Sequence, residues 1–492
     1  MKSIIAAALA LPVANLAART VKTVKTDNPA EVSDDQRLNV VYILADDLGY
    51  GDLGATGQRK FTTENIDRLR AEGMFFRQHY SGSTVSAPSR SALMTGQHTG
   101  HTPIRGNREL PDGAEGQSPL PAGTYTIARM FHEAGYATGC FGKWGLGWPG
   151  SEGDPVNQGF DEFYGYNCQR WAHRYYPDHL WHNLERVELP SNVGGRRGTY
   201  APDLIQQQAL QFIAKNGNRP FFLFMPITLP HAELLAPDDS LLWRYRGLFP
   251  EVPFRGGDYA PDMNIASYCS QREPYATFAA MVSRIDRYVG EVMAALKAAG
   301  IDGRTVVMFS SDNGPHREGG ANPDFFDSYG PFRGVKRDLY EGGVHLPLFV
   351  RAPQMVRAGS TSDHICAFWD MLPTMADLAG VELPATVRTD GISIVPTLTG
   401  RGRQRQHDYL YWEFHEQGGK LAIRMGRWKG VMLNVSKPDK AVFQLFDLST
   451  DIHEDHDVAA QHPDVVARIR DIFRTAHTES ETFRFNSDAL YI

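Results

Sequence analysis

Two ten-residue stretches limit the folds open to this chain more than anything else in it. "LNVVYILADD" (38–47) and "TVVMFSSDNG" (305–314) are almost wholly apolar and then turn abruptly to acidic and amide residues. A strand with one wet face alternates in polarity, whereas a continuous apolar run suits a parallel strand covered on both faces. "TYTIARMFHEAGYATGCFGKWG" reads as a helix and then a strand ending at Lys143, and "RPFFLFMPITLPH" as a strand leading to His231. Val282, Ile285, Val289, Val292 and Leu296, spaced three and four apart, mark a helix that Gly300 stops. Helix and strand in alternation predict an α/β fold, a mostly parallel sheet flanked by helices. The ligand site of such a sheet lies beyond the carboxyl ends of its strands. The polar residues closing these runs are therefore expected to meet in one cleft.

With 492 residues the chain is too long for one simple core. After "TDGISIVPTLTGRGRQRQ", which reads as a linker or surface loop, the texture changes to short strands ("DYLYWEF", "KLAIRMG", "WKGVML", "VFQLFDL") and a last helix, "PDVVARIRDIFRTAH". This predicts a main region over residues 36–400 and a smaller one over 401–492, an antiparallel sheet with one helix. The first 18 residues carry one lysine, a short apolar run interrupted by Pro12, and small residues at Ala17 and Ala18. They read as a secretory signal peptide, too short for a stable membrane span, and predict a periplasmic or secreted protein. A net charge of -7 without a long basic run argues against a nucleic-acid partner. Cys140, Cys168, Cys269 and Cys366 lack metal-type spacing, and Cys140 reads as a buried thiol.

Asp46, Asp47, Asp312 and Asn313 are hard oxygen ligands that suit Ca2+ or Mg2+. Each pair alone is an ordinary turn or cap; two pairs at the ends of buried strands are more than that. Ser86, in "SAPSR", reads locally as a helix cap with Pro88 in the first turn. Arg90 one turn on, with Lys143 and Lys336, would gather positive charge near it, and His231 adds a titratable ring. A divalent ion, clustered cations and one histidine describe a site for an anionic ester.

These motifs have a family counterpart. "SAPSRSALMTG" resembles the sulfatase signature, "ILADDLGYGDLG" and "SSDNG" its two metal motifs, "GKWGLG" its first lysine motif, and "RGVKRDLYEGGVHLP" its late lysine motif; "FQLFDLSTDIHED" resembles its C-terminal segment. The resemblance runs in family order from about residue 38 to 465. It implies an alkaline-phosphatase-like sandwich with a small C-terminal part, of a type I, formylglycine-dependent enzyme. Ser86 would be oxidised to formylglycine by a serine-type anaerobic maturating enzyme, and its hydrate would attack sulfur, giving a sulfo-enzyme intermediate. Asp46, Asp47, Asp312 and Asn313 would hold Ca2+ together with residue 86. Arg90 would hold the hydrate, Lys143 and Lys336 the sulfate, and His231 would protonate the leaving alcohol.

The chain departs from the family at Gly145, where histidine is usual, leaving the base for sulfate elimination unassigned; His101 and His173 are candidates. His345 stands where arginine is common. "YNCQRWAHRYYPDHLWHN", with Trp171 and His173, and "YWEFHEQGGK", with His415 and Gln417, resemble segments of bacterial carbohydrate sulfatases. With His101 and His345 these are the candidate substrate contacts, for a sulfated sugar expected to be galacto-configured. Two other readings stay open: a phosphatase or phosphodiesterase of the same superfamily, and an inactive glycan-binding homologue.

Overall fold

The computed structural model describes residues 37–111, 114–257 and 268–485. The expected leader at residues 1–18 lies outside the described residues. Eleven strands form one sheet: β1 (Asn39–Ala45), β2 (Met74–Tyr80), β3 (Ala137–Lys143), β4 (Glu162–Tyr166), β5 (His179–His182), β6 (Glu185–Glu188), β7 (Phe221–Pro226), β8 (Thr305–Ser311), β9 (His345–Arg351), β10 (Ser360–Ser362) and β11 (Cys366–Ala367). The order is β10-β2-β9-β8-β1-β7-β3-β4-β5-β6, with β11 beside β2. Its centre, β8-β1-β7-β3-β4, is parallel throughout. β9 runs antiparallel to β2 and β8.

The apolar runs are strands buried on both faces, as their composition requires. In β1, Val41, Ile43 and Ala45 enter one hydrophobic core, while Val40, Tyr42 and Leu44 enter the other. β7 divides in the same way, Phe221, Leu223 and Met225 against Phe222 and Phe224. The helix Pro274–Ala298 covers the first face with Val282, Ile285, Val289, Val292 and Leu296, all fully buried. The helices Ile127–Glu133 and Met371–Ala379 cover the second.

Four more strands, β12 (Leu410–Phe414), β13 (Lys420–Met425), β14 (Trp428–Leu433) and β15 (Val442–Asp447), form a separate antiparallel sheet in that order. One face, with Trp412, Phe414, Ala422 and Val431, packs on Tyr80, Val344 and Trp369 of the main sheet region. The other, with Leu421, Ile423 and Leu445, receives Ile469, Ile472 and Phe473 of the helix Pro463–Thr475. The stretch expected as a linker is more ordered than its composition suggested. Val395–Thr399 is helical, and Ile394 and Leu398 are buried in the second core. All four cysteines are buried free thiols.

His345 faces the seam between the sheets and not the cleft. It is 3% exposed, its Nδ1 lies 2.8 Å from Glu341 Oε2, and its Nε2 lies 2.6 Å from the Arg77 carbonyl. Glu341 Oε1 also accepts a 2.7 Å bond from Lys429 of β14. With both ring nitrogens used internally, His345 is a brace and not a substrate contact.

His101 is anchored through one ring nitrogen, and its side chain is 28% exposed. Its Nδ1 lies 2.9 Å from Asp390 Oδ1 and its ring stacks on His98 at 4.3 Å. His98 is buried, and its Nδ1 accepts a 3.1 Å bond from the Gly100 N–H. Burial, only partly countered by Asp390, lowers the His98 pKa from 6.5 to about 4. The unfolded chain therefore takes up this proton first, below about pH 6.5. The associated stability is fully present above that pH and is lost as pH falls toward about 4, by at most ~3 kcal/mol. His98→Asn keeps an acceptor for Gly100, so its urea-melt stability should fall less steeply than the parent's across this window; equal slopes would refute the assignment.

Candidate active site

The register of the parallel strands builds the site. Ala45 of β1 is paired with Ser311 of β8, so the residues that follow, Asp46 and Asp312, leave the sheet side by side. β3 ends at Lys143, two strands away from β1. Adjacent residues of a strand point to opposite faces. Asp47 escapes that rule because its φ of 62° lies in the left-handed region and turns its carboxylate back toward Asp46 and Asp312. The Asp47 N–H donates to Asp312 Oδ1 at 3.1 Å, and Asn313 Nδ2 donates to Asp47 Oδ1 at 2.7 Å.

Ser86 is the first residue of the helix Ser86–Thr95, and Val85 is the cap residue. The local cap reading is therefore incorrect: the Ser86 hydroxyl caps nothing and donates to Asp46 Oδ1 at 3.1 Å. Lys143 Nζ lies 3.3 Å from the same hydroxyl and 2.6 Å from Asp46 Oδ2. Arg90, one turn along, donates from Nε and Nη2 to Asp312 Oδ2 at 3.1 and 2.9 Å, and from Nη1 to the Lys143 carbonyl at 2.6 Å. Lys336 Nζ donates to Asp47 Oδ2 at 2.8 Å, His231 Nε2 at 2.9 Å and Glu318 Oε2 at 3.1 Å. His231 Nδ1 is bonded to the Ala232 carbonyl, which fixes Nε2 as the acceptor facing Lys336.

Burial and mutual charge set the protonation pattern. Burial raises the Asp46 pKa, but Lys143 and Arg90 outweigh it and hold the carboxyl below its ordinary value. Asp312 is pushed up to about 6 by burial and then by Asp46, against the opposing pull of Arg90 and Lys143. His231 is driven well below the ordinary histidine value by burial and then by Lys336 and Lys143. His173, stacked on His231 at 4.7 Å and 9°, falls to about 3 from burial and the same two lysines.

A divalent cation fits these residues. Asp46, Asp47, Asp312 and Asn313 are all fully buried, and Asn313 Oδ1 has no hydrogen-bond partner. An orphaned buried carbonyl oxygen among three carboxylates matches the donor chemistry of a hard cation.

The other expected residues divide. Trp171 is half-buried, its ring 4.8 Å from that of His179 and its Nε1 donating to the His179 carbonyl at 3.2 Å. His415 rests on Glu413 at 2.9 Å and stacks on Phe485 at 4.1 Å. Gln417 is exposed and accepts from Lys420 Nζ at 3.1 Å. Glu318, His316 and Tyr268 were not anticipated. Glu318 joins Lys336, Tyr268 and Arg337, and His316 stacks over His231 at 5.8 Å. Glu318 and His316 could have been found, because "SSDNGPHRE" places both within five residues of Asn313. Tyr268 has no such signal.

The Sulfatase family model matches residues 38–381, and that of the N-sulphoglucosamine sulphohydrolase C-terminal region matches 329–478. This chain belongs to the sulfatase family, whose members are sulfuric ester hydrolases. It is 31% identical over 419 residues to N-acetylgalactosamine-6-sulfatase of Mus musculus, covering 80% of this chain and 71% of that one. Identity to human arylsulfatase A is also 31%, over 422 residues, covering 80% and 74%. Among solved structures, Ps i-CgsB in complex with k-i-k-neocarrahexaose superposes with a TM-score of 0.74 at 29% identity, covering 92% of this chain and 94% of that one. The alkaline-phosphatase-like fold expected from the motifs is the fold observed.

At Gly145 the backbone φ is +78°, and a Cβ there would lie 2.9 Å from Gln169 Cγ and 3.4 Å from Gln117 Oε1. The Gln169 side chain occupies that space and donates to Asn107 Oδ1 at 3.2 Å, which in turn accepts from the Ala87 N–H at 3.0 Å. The backbone and its neighbours are thus built around a glycine in this sulfatase. Gly145→His should not raise sulfate release and should destabilise the fold by about 2–4 kcal/mol from the left-handed backbone and the Gln169 overlap. Adding Gln169→Ala should recover part of that loss in thermal melts. A stable, more active Gly145→His single variant would refute this account.

Proposed function

We propose that this sulfatase removes an O-sulfate from a sulfated sugar or glycan, using Ser86 converted to formylglycine by a serine-type maturating enzyme. The observation that carries the reading is the setting of the Ser86 hydroxyl, between Asp46 Oδ1 at 3.1 Å and Lys143 Nζ at 3.3 Å in a fully buried cluster. The sugar comes from the relatives, which include N-acetylgalactosamine-6-sulfatases and a structure holding a neocarrahexaose. The signal-like first 18 residues support a periplasmic or secreted location, and the change in texture near residue 400 supports a catalytic region followed by a smaller C-terminal one.

Asp46, Asp47, Asp312 and Asn313 Oδ1 would hold Ca2+. When bound, the ion would polarise the ester and favour the ionised form of the hydroxyl at position 86. An aldehyde hydrate at position 86 would offer one hydroxyl to attack sulfur and a second to expel sulfate afterwards. Arg90 stays on Asp312 and orients the helix start that presents residue 86. Lys143, bonded to Asp46, and Lys336, bonded to Asp47, supply positive charge to the sulfate oxygens as charge shifts during transfer. His231 Nε2 carries no proton of its own here and accepts from Lys336 Nζ 2.9 Å away, so it would protonate the departing sugar oxygen by passing on a proton taken from that ammonium. A sugar alkoxide leaves poorly, so such a donor is worth about 10²–10⁴-fold.

Co-expression with a serine-type maturating enzyme should lower the mass of the Ser86 peptide by two hydrogens, and the matured protein should release sulfate from sulfated hexoses. Ser86→Ala should reduce release to background. An unmodified serine under those conditions, or turnover that survives Ser86→Ala, would overturn the reading in favour of a phosphatase-like mechanism. Ca2+ added to chelator-treated protein should stabilise it by about 4 kcal/mol at a thousandfold excess over Kd, read as a rise in melting temperature. Asn313→Ala should weaken that response; an unchanged calcium titration would remove Asn313 from the site.

A further inference from the structure

A chain of ion pairs leads outward from the buried carboxylates. Lys336, whose side chain is 4% exposed, bonds Asp47 and Glu318. Glu318, 18% exposed, also bonds Arg337 Nη2 through Oε1 at 2.6 Å, and the Arg337 side chain is 32% exposed. Tyr268 donates its hydroxyl to Glu318 Oε2 at 3.1 Å and sets its ring edge against His173. Exposure thus rises stepwise from the reaction centre to Arg337.

Arg337 is held there at some conformational cost. Its φ of 75° is left-handed, an unfavourable region for a residue with a long side chain. Its N–H donates to the Thr84 carbonyl at 3.1 Å, two residues before Ser86. Its carbonyl accepts a 2.6 Å bond from Lys420 Nζ of β13. Lys420 also donates to Gln417 Oε1 at 3.1 Å, and Gln417 has a left-handed φ of 52° as well. Two strained polar residues, one beside Lys336 and one on the β12–β13 turn, are thereby locked together by one lysine.

Every cation at this rim has a carboxylate partner once Asp47, on which Lys336 also rests, is counted. Lys336 and Arg337 share Glu318, and Lys420 lies 3.3 Å from Asp338 Oδ1. A guanidinium–carboxylate pair offers a fixed donor beside a fixed acceptor, which is what a sugar hydroxyl needs. An uncompensated cation would be required to favour a second anionic group.

We propose that Glu318, Arg337 and Gln417 form a recognition rim that binds the hydroxyls of an otherwise uncharged sugar carrying the scissile sulfate. This rests on the sulfatase reading of the buried cluster. Arg337 and Gln417 set specificity, and Glu318 both accepts from the sugar and positions Lys336.

The test uses full-length matured protein, with conversion of Ser86 checked by mass. The substrates are galactose 6-sulfate, N-acetylgalactosamine 6-sulfate and 4-nitrophenyl sulfate, which has no sugar. Arg337→Ala should raise KM for its preferred sugar sulfate roughly 10- to 100-fold, a loss at least about ten times larger than that on 4-nitrophenyl sulfate. Gln417→Asn, which tolerates the left-handed turn but shortens the reach, should shift KM in the same direction with little change in melting temperature. Sulfated disaccharides with a neutral second sugar should be preferred over those with a uronic acid. Equal losses on sugar and aryl sulfates would make Arg337 a support for Lys336 and overturn the rim. So would a preference for the uronic acid, or a Gln417→Asn variant with parental KM. Absence of all turnover, 4-nitrophenyl sulfate included, would remove the sulfatase reading and the rim with it.

Discussion

Arg90 is buried one turn into the helix that begins at Ser86, and its guanidinium reaches the ends of three strands. It forks onto Asp312 beyond β8, approaches Asp46 beyond β1 at 3.6 Å, and donates to the last carbonyl of β3 at Lys143. A planar fork of five donors can do this where an ammonium cannot. A buried ion pair deprived of one partner costs about 3–5 kcal/mol, because the remaining charge is left uncompensated. Holding the carboxylates and placing the helix start are therefore one interaction, and the position of Ser86 follows from it.

The buried cluster has little freedom left to exchange partners. Each cation already rests on a carboxylate, and Lys336 uses its three donors on Asp47, His231 and Glu318. A sulfate oxygen arriving at Lys336 must replace one of these. Glu318 is the most exposed of the three and has Arg337 and Tyr268 as further donors. It is the partner that can be given up at least cost, which links recognition at the rim to charge stabilisation at the centre.

The C-terminal sheet takes part in this arrangement through chemistry of two kinds. At the seam, Trp412, Phe414 and Val431 bury apolar surface against Tyr80 and Trp369. Inside it, Glu341 collects Lys429, His345 and Tyr80, so that both sheets supply partners to one buried carboxylate. Such a network tolerates little displacement, since a half-satisfied buried charge is expensive. The β12–β13 turn is held in register with the loop carrying Lys336 as a result, and Lys420 can reach the Arg337 carbonyl.

Much of the fold was legible in the amino-acid order. Doubly apolar runs dictated parallel strands buried on both faces, the 3.6-residue spacing from Val282 to Leu296 dictated the covering helix, and the acidic and basic residues at strand ends marked where the cleft would open. Ser86, Arg90, Lys143, Asp46, Asp47, Asp312, His231 and Lys336 were found as members of one cluster because strand ends, a helix start and the sulfatase-like motifs pointed to the same cleft. Their pairings were not legible, since hydrogen-bond partners hundreds of residues apart depend on strand register. Nor was the direction of His345, whose ring nitrogens meet Glu341 and the Arg77 carbonyl, or of His101, whose Nδ1 meets Asp390. A histidine's role follows from what its two nitrogens meet, and only the packed structure decides that. The same holds for Gly145: the missing side chain was plain from the sequence, whereas the left-handed backbone and the glutamine filling its place exist only once β3 and the loop after β4 lie side by side.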